Sequence, residues 1–326
     1  MRELNWAVLG AGAIANEMAH ALKAAGRALY AVGGRSPEKT AAFGRAHGAQ
    51  KVYADCREMF ADPAVDVVYI ATPHNTHAAF LEEALAGGKH VLCEKAIALN
   101  SRELERAARL AGEKGLVLAE AMTIWHMPLY KELRRMVGGG ELGRVQMITL
   151  SFGSFKEYDM QSRFFAPELA GGALLDIGVY ALSLARSFME SQPDRVLSQM
   201  RPAPTGVDEQ AGILLMNGQG QMAALALSLH AKQPKRAVIS CEKGYIEILD
   251  YPRADRALVV DAATGARQVL TAGEAARALQ YEVEAMERAI LTGGAAAMRL
   301  DLTTDVMALM TALRREWGLQ YPGEAL

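Results

Sequence analysis

Short, unbroken apolar runs separated by amphipathic stretches fill the first 120 residues. Trp6-Ala7-Val8-Leu9 is one such run, and beyond Gly12 the period changes: Ile14, Met18, Ala21, Leu22 and Ala25 recur at helical spacing, while Asn16, Glu17, His20 and Lys23 fall on the other side. A strand to Leu9 and a helix to Ala25 are predicted. A strand at Ala28–Val32 and a helix from Pro37 to Ala46 follow, then strands at Val67–Ile70, His90–Cys93 and Leu116–Ala119. Runs this apolar, with no polar alternation, belong to strands covered on both faces. Their alternation with helices predicts a doubly wound parallel α/β sheet that closes near residue 120.

The rest of the chain reads differently. After a helix at about 128–137 and the Gly138-Gly139-Gly140 break, strand-like segments succeed one another at 145–152, 195–201, 211–216, 222–230, 237–241 and 245–249, joined by short Gly-, Pro- or Asn-bearing turns. Strands without intervening helices predict a mainly antiparallel sheet in an α+β domain. Its helices are a long apolar one after Gly171 and two more at about 273–292 and 301–315. The expected division is residues 1–120 and 121–326. On the apolar helix, Asp176, Tyr180, Ser183 and Ser187 form one polar stripe, which either meets internal partners or faces a cleft.

Composition narrows the partners. The 326 residues are 51% hydrophobic with a net charge of −2, so the core is substantial and no global basic field exists for nucleic acid. No apolar run is expected to reach membrane-spanning length, and the apolar start at Trp6 has no basic flank of signal-peptide type. Cys56, Cys93 and Cys241 lie far apart, so reduced thiols and a cytoplasmic location are expected. His74 and His77 lack Cys or carboxylate partners at ligand spacing, and no metal site is expected.

The junction of the first strand and helix carries the most chemistry. In Gly10-Ala11-Gly12-Ala13-Ile14-Ala15, Gly10 permits a tight turn, Gly12 lets the backbone approach a pyrophosphate, and Ala15 allows helix and strand to pack closely. The unpaired N–H groups of Ala13 and Ile14, at the positive end of the helix dipole, then hold phosphate. Such a string arises by chance in a chain rich in Gly and Ala; the strand before it and the helix after it make it a dinucleotide site. The second strand ends without the acid that would bind the ribose hydroxyls of NAD. Gly33-Gly34-Arg35-Ser36, with Lys39 one turn on, offers instead a guanidinium and a hydroxyl suited to a 2′-phosphate. NADP is the expected cofactor, with NAD the alternative if Arg35 is a solvated loop charge.

Ligands of a parallel sheet sit beyond its carboxyl ends. The residues there are Gly10, Gly12, Arg35, Ser36, Thr72, Pro73, His74, His77, Glu94, Lys95 and Glu120, of which those up to Lys95 are expected at the cofactor and Glu120 at the substrate.

Taken in order, Gly10-Ala11-Gly12 with Ala15, Thr72-Pro73-His74-Asn75-Thr76-His77, Glu94-Lys95, Glu120-Ala121, Gly143-Arg144-Val145 and the run Gly171–Tyr180 resemble the Gfo/Idh/MocA family of NAD(P)-dependent oxidoreductases over most of the chain. The resemblance implies a Rossmann domain followed by a substrate domain whose open sheet commonly forms a dimer interface, giving a homodimer or higher homo-oligomer. It also implies that Lys95 is catalytic. Many members carry histidine where this chain has Tyr180; tyrosine is similar to the branch of dimeric dihydrodiol dehydrogenases and NADP-dependent sugar dehydrogenases. Ala96 stands where the family usually has proline, and cis geometry costs about 2.5–4 kcal/mol before any other residue, so alanine gives no reason to expect it. Met122–Pro128 departs from the dihydrodiol dehydrogenase pattern, so substrate identity does not transfer. Trp125, His126 and Arg163 are candidates for substrate contact, with core or surface packing as the competing reading.

These residues together suggest hydride transfer between a nicotinamide and a secondary alcohol or ketone of a sugar, polyol or related small carbonyl. Tyr180 would exchange the hydroxyl proton, Lys95 would favour the phenolate, and Asp176 would bind a substrate hydroxyl. The alternative is a non-catalytic NADP-binding sensor of the same fold.

Overall fold

The computed structural model describes residues 3–324, which form two compact units, one of 3–122 with 277–301 and one of 123–276 with 302–324. The first unit holds six parallel strands: β1 (Trp6–Leu9), β2 (Leu29–Gly33), β3 (Lys51–Tyr53), β4 (Val67–Ile70), β5 (His90–Glu94) and β6 (Leu118–Ala121). Their order is β3-β2-β1-β4-β5-β6. Every residue of β1 and β4 is buried, as their unbroken apolar runs require. The connecting helices are α1 (Ala13–Ala24), α2 (Pro37–His47), α3 (Cys56–Ala61), α4 (His77–Ala86) and α5 (Ser101–Glu113). Asn100 caps α5 by accepting the Glu103 N–H at 3.0 Å. Strand order reverses at β1, which pairs with β2 on one side and β4 on the other, and places the carboxyl ends of all three around one crevice.

The second unit holds α6 (Thr123–His126), α7 (Pro128–Gly138) and α8 (Val179–Phe188) with eight strands: β7 (Val145–Gly153), β8 (Arg195–Pro202), β9 (Asp208–Met216), β10 (Met222–Ser228), β11 (Gln233–Cys241), β12 (Gly244–Leu249), β13 (Arg256–Asp261) and β14 (Arg267–Thr271). The order is β14-β13-β12-β11-β7-β10-β9-β8, antiparallel except for the parallel pair of β7 and β10. Alternation sorts the two faces: Ile148, Leu150, Ile239 and Ile246 point into the core, whereas Met147, Leu197, Leu249 and Val269 remain exposed on the other face.

Three expectations need correction. The helix α9 (Ala278–Thr292), assigned from sequence to the second domain, belongs to the first unit and packs on α1. Glu287 on α9 accepts the Trp6 indole N–H at 3.1 Å and the Arg27 Nε–H at 2.9 Å, so a partly buried ion pair ties the two segments. The helical run Pro167–Phe188 does reach spanning length and hydropathy; 83% of its most apolar window is buried, which accounts for its composition as a core element. Finally, β3, β13 and β14 had no counterpart in the sequence reading. All three are short and carry exposed polar positions that blur any period. The last helix among the described residues is α10 (Leu300–Glu316).

Candidate active site

In the first unit the glycine turn has the shape that a dinucleotide needs. Gly10 adopts φ +116°, and a Cβ there would lie 2.6 Å from the Ala71 carbonyl oxygen, so only glycine fits. Its N–H donates to the Gly33 carbonyl at 2.8 Å, which joins the ends of β1 and β2. Gly12 is the N-cap of α1, and nothing lies within 4 Å of where its Cβ would be. That space lies beside the first-turn N–H groups of Ala13 and Ile14, which have no acceptor one turn earlier in the helix. The turn therefore fits a pyrophosphate. After β2, Arg35 is exposed and Ser36 half-buried at the N-cap of α2, where the Ser36 side chain makes no capping bond.

Lys95 follows β5 on a loop held from several sides. The Lys95–Ala96 peptide bond is cis, a geometry for which alanine gave no signal. His74 Nε2 lies 3.0 Å from the Lys95 carbonyl oxygen. His77 reaches the Ala96 carbonyl through Nδ1 at 2.9 Å and the Thr72 carbonyl through Nε2 at 2.8 Å. The Ile97 N–H donates to Glu120 Oε1 at 3.1 Å, and the Tyr69 hydroxyl donates to Glu94. His77 and Glu120, expected at the cofactor and substrate, are instead buried braces of this loop (0% and 1% exposed). Burial pushes the His77 imidazole below the usual histidine range. Thr72 and Pro73 lead into the 3₁₀ turn His74–Thr76, and the Thr76 hydroxyl donates to Thr72 Oγ1 at 2.8 Å. Lys95 itself is half-buried.

In the second unit the polar stripe divides. Asp176 sits in a π-helical turn, Leu174–Gly178, which leads directly into α8. The Arg163 guanidinium donates to Asp176 Oδ1 at 3.3 Å and also stacks over the Phe164 ring at 4.3 Å. Tyr180, one residue into α8, is half-buried with its ring 6.2 Å from that of Phe152. Ser183 is fully buried, and the Ser187 hydroxyl donates to the Leu184 carbonyl of its own helix. Asp176 and Tyr180 are thus the stripe members with chemistry to offer, with Arg163 beside Asp176. Trp125 and His126, the other candidates, are both 1% exposed, and burial lowers His126 to about 3, so it stays a neutral core imidazole. Sequence reasoning missed Asp208 and Tyr321, which hold the start of this helix; nothing in their local pattern marks them. Among the described residues no three His, Cys, Asp or Glu side chains form a metal-binding set.

Fold and glycine cradle together define an NAD(P)-binding oxidoreductase. A model of the oxidoreductase family with an NAD-binding Rossmann fold matches residues 4–122, and one of the GFO/IDH/MocA C-terminal domain matches residues 130–247. The chain belongs to this GFO/IDH/MocA family, as its sequence motifs implied. It is 32% identical over 247 residues to the trans-1,2-dihydrobenzene-1,2-diol dehydrogenase of Xenopus tropicalis, covering 74% of each chain. The Sus scrofa enzyme of that name is 31% identical over 251 residues, 76% of this chain and 74% of its own. Among solved structures, the 3-ketoreductase KijD10 of Actinomadura kijaniata, with NADP and TDP-benzene, superposes with a TM-score of 0.87 at 23% identity, covering 96% of this chain and 98% of that one. A levoglucosan dehydrogenase with NADH and levoglucosan gives 0.84 at 20% identity and the same coverage.

Proposed function

We propose that the protein is an NADP-preferring dehydrogenase or reductase acting between a secondary alcohol and its ketone on a sugar, polyol, diol or related small carbonyl. The bracing of the Lys95 loop carries this reading: three side chains fix the main chain of residues 95–97, more than a solvated surface lysine needs. Gly10, Gly12 and the N–H groups of Ala13 and Ile14 hold the pyrophosphate, and Arg35 with Ser36 receives the 2′-phosphate. Bound nicotinamide supplies the hydride acceptor or donor. Tyr180 takes the hydroxyl proton during oxidation and returns it during reduction. Lys95 is the other member of this acid–base pair, each unit supplying one of the two side chains. Asp176, held by Arg163, accepts a hydrogen bond from a substrate hydroxyl. The relatives' names agree with this class, since one takes a dihydrodiol and another levoglucosan.

The test is coenzyme turnover with NADP(H) and NAD(H) across vicinal diols, aldoses, inositols, anhydro-sugars and dicarbonyls. Turnover with one class and a preference for NADP is expected; tight NADPH binding with no turnover across the panel favours the sensor reading. The exposed sheet face with Met147, Leu197, Leu249 and Val269 suits a second copy of the chain. Sedimentation is expected to give twice the 35.1 kDa chain mass. Free thiols at Cys56, Cys93 and Cys241 agree with a reducing, cytoplasmic setting.

A further inference from the structure

The helix that carries Asp176 and Tyr180 begins with an irregular turn, and two buried side chains from distant parts of the second unit fasten it there. Asp208, the first residue of β9, is 0% exposed, and its Oδ2 accepts the Leu174 N–H at 2.5 Å. Its other oxygen, Oδ1, is buried without a hydrogen-bond partner and lies against Gly172. Gly172 has φ +123°, and a Cβ there would fall 2.0 Å from that oxygen, so the absence of a side chain is what admits the carboxylate. Three residues before Leu174, the Gly171 carbonyl accepts the Tyr321 hydroxyl at 2.5 Å. Tyr321 is itself held: the Arg314 guanidinium stacks over its ring at 4.2 Å, and its N–H donates to Glu324 at 3.2 Å. Arg314 is 0% exposed and pairs with Glu324, closing a buried network.

The turn fastened in this way is the π-helical one. A π turn bonds i to i+5 in place of i+4 and so inserts one residue into the helix. Each α-helical residue turns by about 100°, so relaxing the insertion would rotate side chains on one side of it by about that angle relative to the other. Asp176 lies within the turn and Tyr180 just beyond it. We propose that Asp208 is a positioning residue: with Tyr321 it holds this turn open and sets the angle between Asp176 and Tyr180. This rests on the roles proposed above for those two side chains, proton exchange at Tyr180 and substrate binding at Asp176.

A carboxylate is a stronger acceptor than an amide, and its charge is exposed to few compensating groups here. Burial pushes Asp208 up to about 7, against the pull of the Leu174 and Ala173 N–H groups and of Arg314. Arg314 and Tyr321 are the ionisable groups that act on it, with Glu324 offsetting Arg314. Above about pH 7 the charged bond to Leu174 is present; as pH falls through that value it is lost.

The experiment compares Asp208→Asn and Tyr321→Phe with the parent in three readouts. In Asp208→Asn, kcat should fall about tenfold or more with coenzyme Kd within about twofold, and the acid limb of kcat near pH 7 should disappear. Tyr321→Phe should lower kcat by about threefold and keep the limb. Amide hydrogen exchange over residues 172–180 should accelerate about tenfold in Asp208→Asn and leave the sheet unchanged. Unchanged kcat, limb and exchange in Asp208→Asn would overturn the proposal; if that variant does not fold, unchanged kcat and exchange in Tyr321→Phe does so. Should the parent turn over no substrate, the function reading fails by itself, and the exchange measurement alone decides the role of Asp208.

Discussion

The two units each present a side chain proposed for the chemistry from irregular backbone, and they secure it in opposite ways. The Lys95 loop is held by many separate contacts, with His74, His77 and Glu120 each taking a different main-chain group between residues 95 and 97. The start of the Asp176 helix is held by few, with one carboxylate on Leu174 and one phenol on Gly171. A net of individually modest bonds tolerates the loss of one strand, whereas a single buried carboxylate concentrates the dependence in one group. Rigidity at a reactive residue therefore comes either from the number of bonds or from the burial of one, and substitutions tell the two apart.

The largest effect is expected at the two side chains proposed to react. Lys95→Met and Tyr180→Phe should each lower turnover by about a hundredfold or more while coenzyme still binds, and steady-state kinetics beside a fluorescence titration of NADPH checks both. Near-normal turnover in either variant would remove its side chain from the chemistry and leave its supports without the purpose assigned here. Next comes Gly172→Ala, where the new Cβ meets Asp208 at a backbone angle that alanine rarely adopts. A loss of about 2–3 kcal/mol in urea unfolding is expected, and a smaller loss would show that the carboxylate can move aside. His77→Phe leaves the Thr72 and Ala96 carbonyls without this partner and should cost about 1–2 kcal/mol, with the remaining braces keeping the loss of kcat below that of Asp208→Asn. If His77→Phe instead abolishes turnover, the loop depends on one bond and the contrast fails. The smallest change is expected at Arg35→Ala, which should raise the KM for NADP about tenfold and leave that for NAD alone.

What the sequence made legible follows from where the information resides. The parallel strands were readable because burial on both faces demands unbroken apolar runs such as Val67–Ile70, and the glycine turn because Gly10 has no substitute at its φ. The residues of the Lys95 loop were readable as motif members, but their parts were not: His77 and Glu120 look like ligands in sequence, and only tertiary packing turns them inward onto carbonyl and N–H groups. Asp208 had no local mark, since its partner is 34 residues away, and the π turn it fastens has no period of its own within five residues. Edge strands such as β14, exposed at most of its positions, lack the burial that writes a pattern into sequence.

The return of α9 to the first unit bears on how the chain is made. Residues 1–122 leave the ribosome first, yet Trp6 and Arg27 wait for Glu287, which lies 281 and 260 residues after them and 165 residues after position 122. At about 5–20 residues per second, the nucleotide-binding half spends some ten to thirty seconds as an unfinished body with the α1 surface bare. A fragment cut at residue 122 would be frozen at that stage. A functional nucleotide-binding module of this protein would have to be built by joining residues 1–122 directly to 277–301.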